Sequence, residues 1–233
     1  PNGIRFGLAA IKNIGRGFIQ KVMQERENGG PFPDLESFCN RMYGTDLNKR
    51  AMENLIKCGA CDCFGLRRSQ LLAIYDAVME SVAASRRKNV EGQMGLFGMM
   101  EGDDAPVSDI HVPDLPELSA QERMSMERET TGLYLSGHPM DDYREQLKGT
   151  GVVPIGRIMQ SLEDHDGVYQ DEQVVSIAGI VQTAKMKTTR NQSLMAYVTL
   201  EDNTGSMELL VFSSTLNQYG SLIHEGAAVV VSG

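Results

Sequence analysis

The sequence predicts an α+β chain of several domains, helical through residues 1–90 and β-stranded over residues 173–233. Three observations carry that prediction. In the first part, apolar residues recur at helical period between short glycine-containing turns. In the last part, runs rich in β-branched residues, bounded by turn signals, replace them. Between the two, the stretch 91–118 is rich in Gly, Met, Pro and acids with no sustained period, which reads as a linker or long surface loop.

In the helical part, helices are expected at residues 4–12, 18–26, 47–57 and 66–88. The longest is the clearest: Leu66, Leu71, Ile74, Tyr75, Val78, Met79 and Val82 fall near helical period, and Arg86-Arg87-Lys88 suits the negative pole of the helix dipole. Gly29-Gly30-Pro31-Phe32-Pro33 breaks the chain between helix pairs. After the linker, Ser119 and Glu122 have capping-box spacing and open a helix running to about residue 134, which Gly137-His138-Pro139 ends. Residues 119–172 are expected to be a helical connector, its acidic stretch 149–172 without an assigned structure. Strands follow at 174–181, 194–200, 207–212 and 227–232, with a turn at Asp202-Asn203-Thr204-Gly205 and a short helix near 213–220. Gly179 inside the first strand permits the sharp bend of a small barrel. This succession matches an OB-fold without its fifth strand, against the plainer alternative of a generic small β-barrel. Both chain ends read as cut points in a longer protein, since Pro1 follows no Met and the last strand runs out at Gly233.

The net charge is −9, but it divides as +5 over residues 1–90, −13 over 91–172 and −1 over 173–233. A footprint for a phosphate backbone is therefore confined to the first part, or is local in the last. With no long apolar run and no signal pattern, a membrane or secretory role is excluded and a cytoplasmic protein expected. Cys39, Cys58, Cys61 and Cys63 lack the two-plus-two spacing of a structural zinc site and read as free thiols, mostly buried. No metal site and no catalytic residue is expected. Asp103-Asp104 lies in a polar linker and Asp141-Asp142 follows a helix-ending His-Pro, so neither reads as a metal-holding carboxylate pair. No nucleophile-base pair, P-loop or dinucleotide fingerprint is present.

The strongest local motif is Ile11-Lys12-Asn13-Ile14-Gly15-Arg16-Gly17-Phe18, a helix end, an apolar-Gly-x-Gly hairpin and a new helix. Without side chains at Gly15 and Gly17 the turn can press against a phosphate, and the helix N-terminus supplies N–H donors and a favourable dipole. Lys12, Asn13, Gly15, Arg16, Gly17 and Lys21 are the candidate contacts. A second hairpin around Lys57 and Gly59 carries one glycine of the pair. It reads either as a DNA contact or as the structural half of a tandem. In the barrel, the basic loop Lys185-Met186-Lys187-Thr188-Thr189-Arg190-Asn191 offers Lys185, Lys187 and Arg190, while Tyr197 and Phe212 fit either base stacking or the core.

With these motifs in their order, the chain resembles the bacterial C-family replicative polymerases, the DNA polymerase III α subunits. The likeness rests on residues 7–15, on Leu55-Ile56-Lys57-Cys58-Gly59-Ala60, on the stretch from Glu127 to Pro139, and on Thr199-Leu200-Glu201-Asp202-Asn203-Thr204-Gly205. Cys61 departs from it, standing where an aromatic residue is usual. The resemblance implies the region after the fingers: a tandem helix-hairpin-helix domain on duplex DNA, then an OB domain meeting the single-stranded template. It also implies a sliding-clamp-binding pentapeptide, Gln93-Met94-Gly95-Leu96-Phe97, whose apolar residues would otherwise fold back onto the 66–88 helix. Other replicase subunits are implied partners. The parent would be a Mg²⁺-dependent nucleotidyltransferase, whereas this stretch, without the palm and its aspartates, needs no cofactor and is expected to be inactive alone. A stand-alone DNA-binding scaffold and an RNA-binding module are the rival classes.

Overall fold

The computed structural model describes residues 7–90, 110–189 and 192–233. The chain forms two compact units, Pro1–Ser136 and Gly137–Gly233. The division cuts through the expected connector, giving its helix to the first unit and the rest to the second.

In the first unit, the expected helix at 4–12 is described only as a single 3₁₀ turn, Leu8–Ala10, with residues 1–6 outside the described range. Helix α1 (Arg16–Gly29) buries Phe18, and Gly30 ends it at φ +75°. Helix α2 (Leu35–Arg41), which the sequence pattern did not announce, starts where the Asp34 carboxylate accepts from Ser37 N at 2.7 Å. From its far end Arg41 reaches back to the carbonyls of Glu25, Gly30 and Pro31, tying α2 to the end of α1. Helix α3 (Lys49–Lys57) is capped by Asn48, and α4 (Arg68–Val90) buries Leu71, Ile74, Val78 and Val82 along one face. Helix α5 (Ala120–Thr131) begins with the expected Ser119–Glu122 capping box, but it stops at left-handed Gly132 rather than near residue 134. Cys39, Cys58 and Cys61 lie in the core with Phe18, Met42, Met52 and Ile56. Burial first, then Glu36, pushes the Cys39 thiol up to about 12.

Residues 110–118 are no free linker. Ile110 and Val112 pack on this core, Arg67 and Gln70 donate to the Leu115 and Pro113 carbonyls, and the Glu117 carboxylate accepts from the backbone N–H groups of Arg68 and Ser69 at the start of α4. Burial opposes ionisation of Glu117, yet these N–H donors, with that of Leu118, hold its pKa below the usual value. Beside it lies a buried ion pair, Arg68 to Glu127, at 2.8 Å. Arg68 also binds Asp62 and the Lys57 carbonyl, and Glu127 accepts from Leu135 N, Ser136 N and Ser136 Oγ.

In the second unit, strands β1 (Ser176–Thr188), β2 (Leu194–Glu201), β3 (Ser206–Val211) and β4 (Ala228–Ser232) form one antiparallel sheet, ordered β3-β2-β1-β4. The sheet is a curled half-barrel. β1 pairs with β4 through Ser176–Ile180 and with β2 from Ile180 onward, with a register shift between Val181 and Thr183. At this crossing Gly179 is indispensable, because a Cβ there would lie 2.6 Å from the Glu201 carbonyl oxygen. A 3₁₀ turn, Pro139–Tyr143, and α6 (Arg144–Leu147) cover Ala178 and Ile180. Helix α7 (Ile155–Asp164), unassigned from sequence, packs Ile155 and Ile158 against Val198 and Leu200. Helix α8 (Ser213–Tyr219) adds Leu216 to the same core. The motif turn explains the placement of α7: Asp202 accepts from Ile155 N and Thr204 Oγ1 from Gly156 N, each at 2.8 Å. Asp141 is likewise structural, accepting from His138 N, Asn203 and Arg144.

Removing one partner of a buried ion pair leaves the other charge stranded. Glu127→Ala is therefore expected to destabilise the helical unit by on the order of 3–5 kcal/mol in urea melts. Burial would raise the Glu127 pKa, but Arg68 and the Ser136 and Leu135 donors outweigh it and hold it below the ordinary 4.5. The stabilisation is thus full above that unfolded value and is lost as the pH falls through the lower folded one, so wild type should approach Glu127→Ala in stability on acidification.

Candidate nucleic-acid interface

The first hairpin is built around Asn13, which takes the left-handed conformation at φ +64°. Ile11 is buried and Ile14 packs on the core, so the backbone between them turns outward. Gly15 is the N-cap of α1 in extended conformation, φ −83° and ψ 153°, and offers no side-chain cap. Among the described residues nothing accepts from the N–H groups of Arg16, Gly17 and Phe18. A Cβ added at Gly15 or Gly17 would meet nothing within 4 Å, and neither residue has positive φ. The fold itself thus gives no reason for glycine at either position. Lys12, Asn13, Arg16 and Lys21 are exposed around this turn, and the three cations make no ion pair with described residues.

The second hairpin is closed on itself. The Ala60 N–H donates to the Leu55 carbonyl and that of Gly59 to Ile56, a glycine-terminated helix end with Gly59 at φ +82°. A Cβ on Gly59 would collide with the Arg68 guanidinium, so this glycine faces its own chain. The Lys57 ammonium sits 2.9 Å from Glu53 and 3.7 Å from Glu129, and the hydrogen bond to Glu53 leads in raising its pKa. This geometry favours the structural half of the two readings that the sequence left open.

On the sheet, Lys185 and Lys187 belong to β1 and not to a loop, while Arg190 and Asn191 lie outside the described residues. Ala196, Val198 and Leu200 point into the core, so Tyr197 occupies the opposite face. Lys185, Tyr197 and Leu210 stand directly across from one another on three strands, and Lys187 Nζ lies 5.6 Å from the Tyr197 ring centre. Phe212 continues the outward alternation of β3 and is 63% exposed. Two lysines beside Tyr197, Leu210 and Phe212 make a platform on which bases can stack while ammonium groups meet phosphates. Leu210 was missed from sequence, although the period of β3 assigns Met207, Leu209 and Val211 to the inside. Gln93, Met94, Gly95, Leu96 and Phe97, expected to bind a sliding clamp, and Asp103-Asp104 lie outside the described residues. Among the described residues no three potential metal ligands converge, and no helix is long and apolar enough to cross a membrane.

A Gly-paired helical hairpin followed by a curled sheet whose outer face carries lysines and aromatic residues defines a nucleic-acid-binding chain. Residues 1–71 match the family model described as helix-hairpin-helix motif, and residues 175–233 match that of the OB-fold nucleic acid binding domain. The chain is 32% identical over 231 residues to DNA polymerase III subunit alpha of Vibrio cholerae, covering 99% of this chain and 19% of that protein. It is 32% identical over 232 residues to the subunit from Mycobacterium tuberculosis (98% and 19%) and 32% over 231 residues to that from Thermus aquaticus (98% and 18%). The chain belongs with the DNA polymerase III alpha subunits, and it spans about a fifth of the length of the curated relatives it matches.

The assignment of inner and outer sheet faces predicts unequal costs of substitution. Leu210→Ser and Phe212→Ser should each change stability by no more than about 0.5 kcal/mol, whereas Leu200→Ala, at 0% exposure, should cost about 2–5 kcal/mol in urea melts.

Proposed function

We propose that this chain is the duplex-gripping and template-guiding part of a bacterial replicative DNA polymerase. The observation that carries the reading is the pair Gly15 and Gly17, two glycines that the fold does not need, at an uncapped helix N-terminus ringed by Lys12, Arg16 and Lys21. A phosphate brought against that turn meets N–H donors, a favourable dipole and three cations with no side chain between. The platform of Lys185, Lys187, Tyr197, Leu210 and Phe212 would then receive single-stranded template. Template-directed synthesis and its Mg²⁺ belong, on this reading, to the longer parent protein.

Binding of a labelled duplex to this chain should be insensitive to sequence and steeply salt-dependent. Gly15→Val should weaken it by at least about tenfold across all sequences, because the side chain holds the turn off the phosphate. Anisotropy titrations alongside thermal melts check this, and wild-type binding by a folded Gly15→Val chain would sink the reading.

The spacing Gln93-Met94-Gly95-Leu96-Phe97 further supports a tether to the sliding clamp, Leu96 and Phe97 filling an apolar pocket and the Gln93 amide contacting its rim. Such a short segment buries little area, so affinity should be about micromolar and useful mainly together with the grip on DNA. Leu96→Ala with Phe97→Ala is expected to abolish clamp binding in surface plasmon resonance, and equal binding by both versions would dismiss the tether.

A further inference from the structure

Asn54 lies on α3, the helix that enters the second hairpin, yet its side-chain amide donates to the Lys12 carbonyl of the first at 2.7 Å. The Lys12 N–H donates in turn to the Thr130 carbonyl, in the last turn of α5, at 2.9 Å. Both backbone groups of the residue preceding left-handed Asn13 are thus held by elements remote in sequence. Because a peptide unit is planar, fixing the Lys12 carbonyl sets ψ of Lys12 and φ of Asn13 together. An L side chain at positive φ is strained, and such a conformation persists where the surroundings impose it. The buried Ile11 and half-buried Ile14 fix where the turn sits, but apolar contacts do not fix the rotation of the peptide between them.

We propose that Asn54 is a positioning residue for the first hairpin: by gripping the Lys12 carbonyl it holds the turn at Asn13, and so aims the amides at the start of α1 outward, without itself touching DNA. The proposal rests on the phosphate-binding reading of that hairpin. It gives the second hairpin a task that needs no DNA contact, since α3 carries the residue that shapes the first.

The test uses the whole chain, a fluorescein-labelled duplex of random sequence, and hydrogen exchange of the backbone amides. Asn54→Ala should weaken duplex binding about five- to tenfold and speed exchange of the hydrogen-bonded turn amides of Lys12 and Ile14 by a similar factor. Asn54→Leu keeps a similar size without a donor or a charge, so it should behave alike, and it serves as the second variant should Asn54→Ala fold poorly. Acting through the hairpin, Asn54→Ala should add nothing to the loss already caused by Gly15→Val. Undiminished binding by folded Asn54 variants while Gly15→Val binds weakly overturns this proposal alone, as would unchanged exchange or additive losses. Undiminished binding by Gly15→Val overturns the hairpin reading and this proposal with it.

Discussion

A guanidinium with 7% of its side chain exposed and a carboxylate with none meet at 2.8 Å where α5 runs past the start of α4. Taking both charges out of water is expensive, and the attraction between them offsets that cost only when their remaining donors and acceptors are satisfied. Here they are. Arg68 spends its other donors on Asp62 and the Lys57 carbonyl, and Glu127 fills its second oxygen with Leu135 and Ser136. The pair therefore fixes which surface of α4 faces α5, and with it the turn after α3. One helical turn beyond Glu127, the Thr130 carbonyl receives Lys12 N. The two hairpins are thereby referred to a single helix, whose end opens the Glu127-to-Pro139 stretch.

The glycines divide by what surrounds them. At Gly59, Gly156 and Gly179 a Cβ would strike Arg68, the Thr204 carbonyl or the Glu201 carbonyl, so each marks a close approach within the fold. Gly15 and Gly17 face empty space. Gly17, in the first turn of α1, weakens the helix relative to alanine, and Gly15 at the N-cap lacks the side-chain oxygen that Ser, Asp or Asn would bring to the open amides. A partner that must come as close as a backbone is the reason the proposed function supplies for both.

Helices α1, α3, α4 and α5 were legible because caps and helical period lie in contiguous sequence, and three of the four strands were bounded by turn residues that show in the same way. Helix α2 was not, since its seven residues follow Pro33 and give too few turns for a period. The second half of β1 read as a loop because Lys185, Lys187 and Thr188 are polar, yet they sit on a strand whose outer face is solvated. Residues 110–118 read as linker for their prolines, while what holds them, Arg67, Gln70 and the α4 amides, lies over forty residues away. Of the candidate site, glycines and lysines were visible as local chemistry. Asn54 was not, because its partner is 42 residues distant and a half-buried helical Asn carries no signal of its own.

The charge distribution sharpens the proposed function. Part of the positive charge of residues 1–90 is paired within the fold: Arg41, Lys49, Lys57, Arg67 and Arg68 each face a carboxylate. Around the first hairpin Lys12, Arg16 and Lys21 face no carboxylate among the described residues, and the exposed Arg26, Arg50, Arg86 and Arg87 add further positive charge to the helical unit. Three neutralised phosphates correspond to a slope of about −2.7 in log affinity against log salt. On the proposed reading, such a grip weakens as salt rises and carries no base readout. Those are the properties required of a module that must release and regrip successive phosphates, and they explain why such a module would depend on a second attachment.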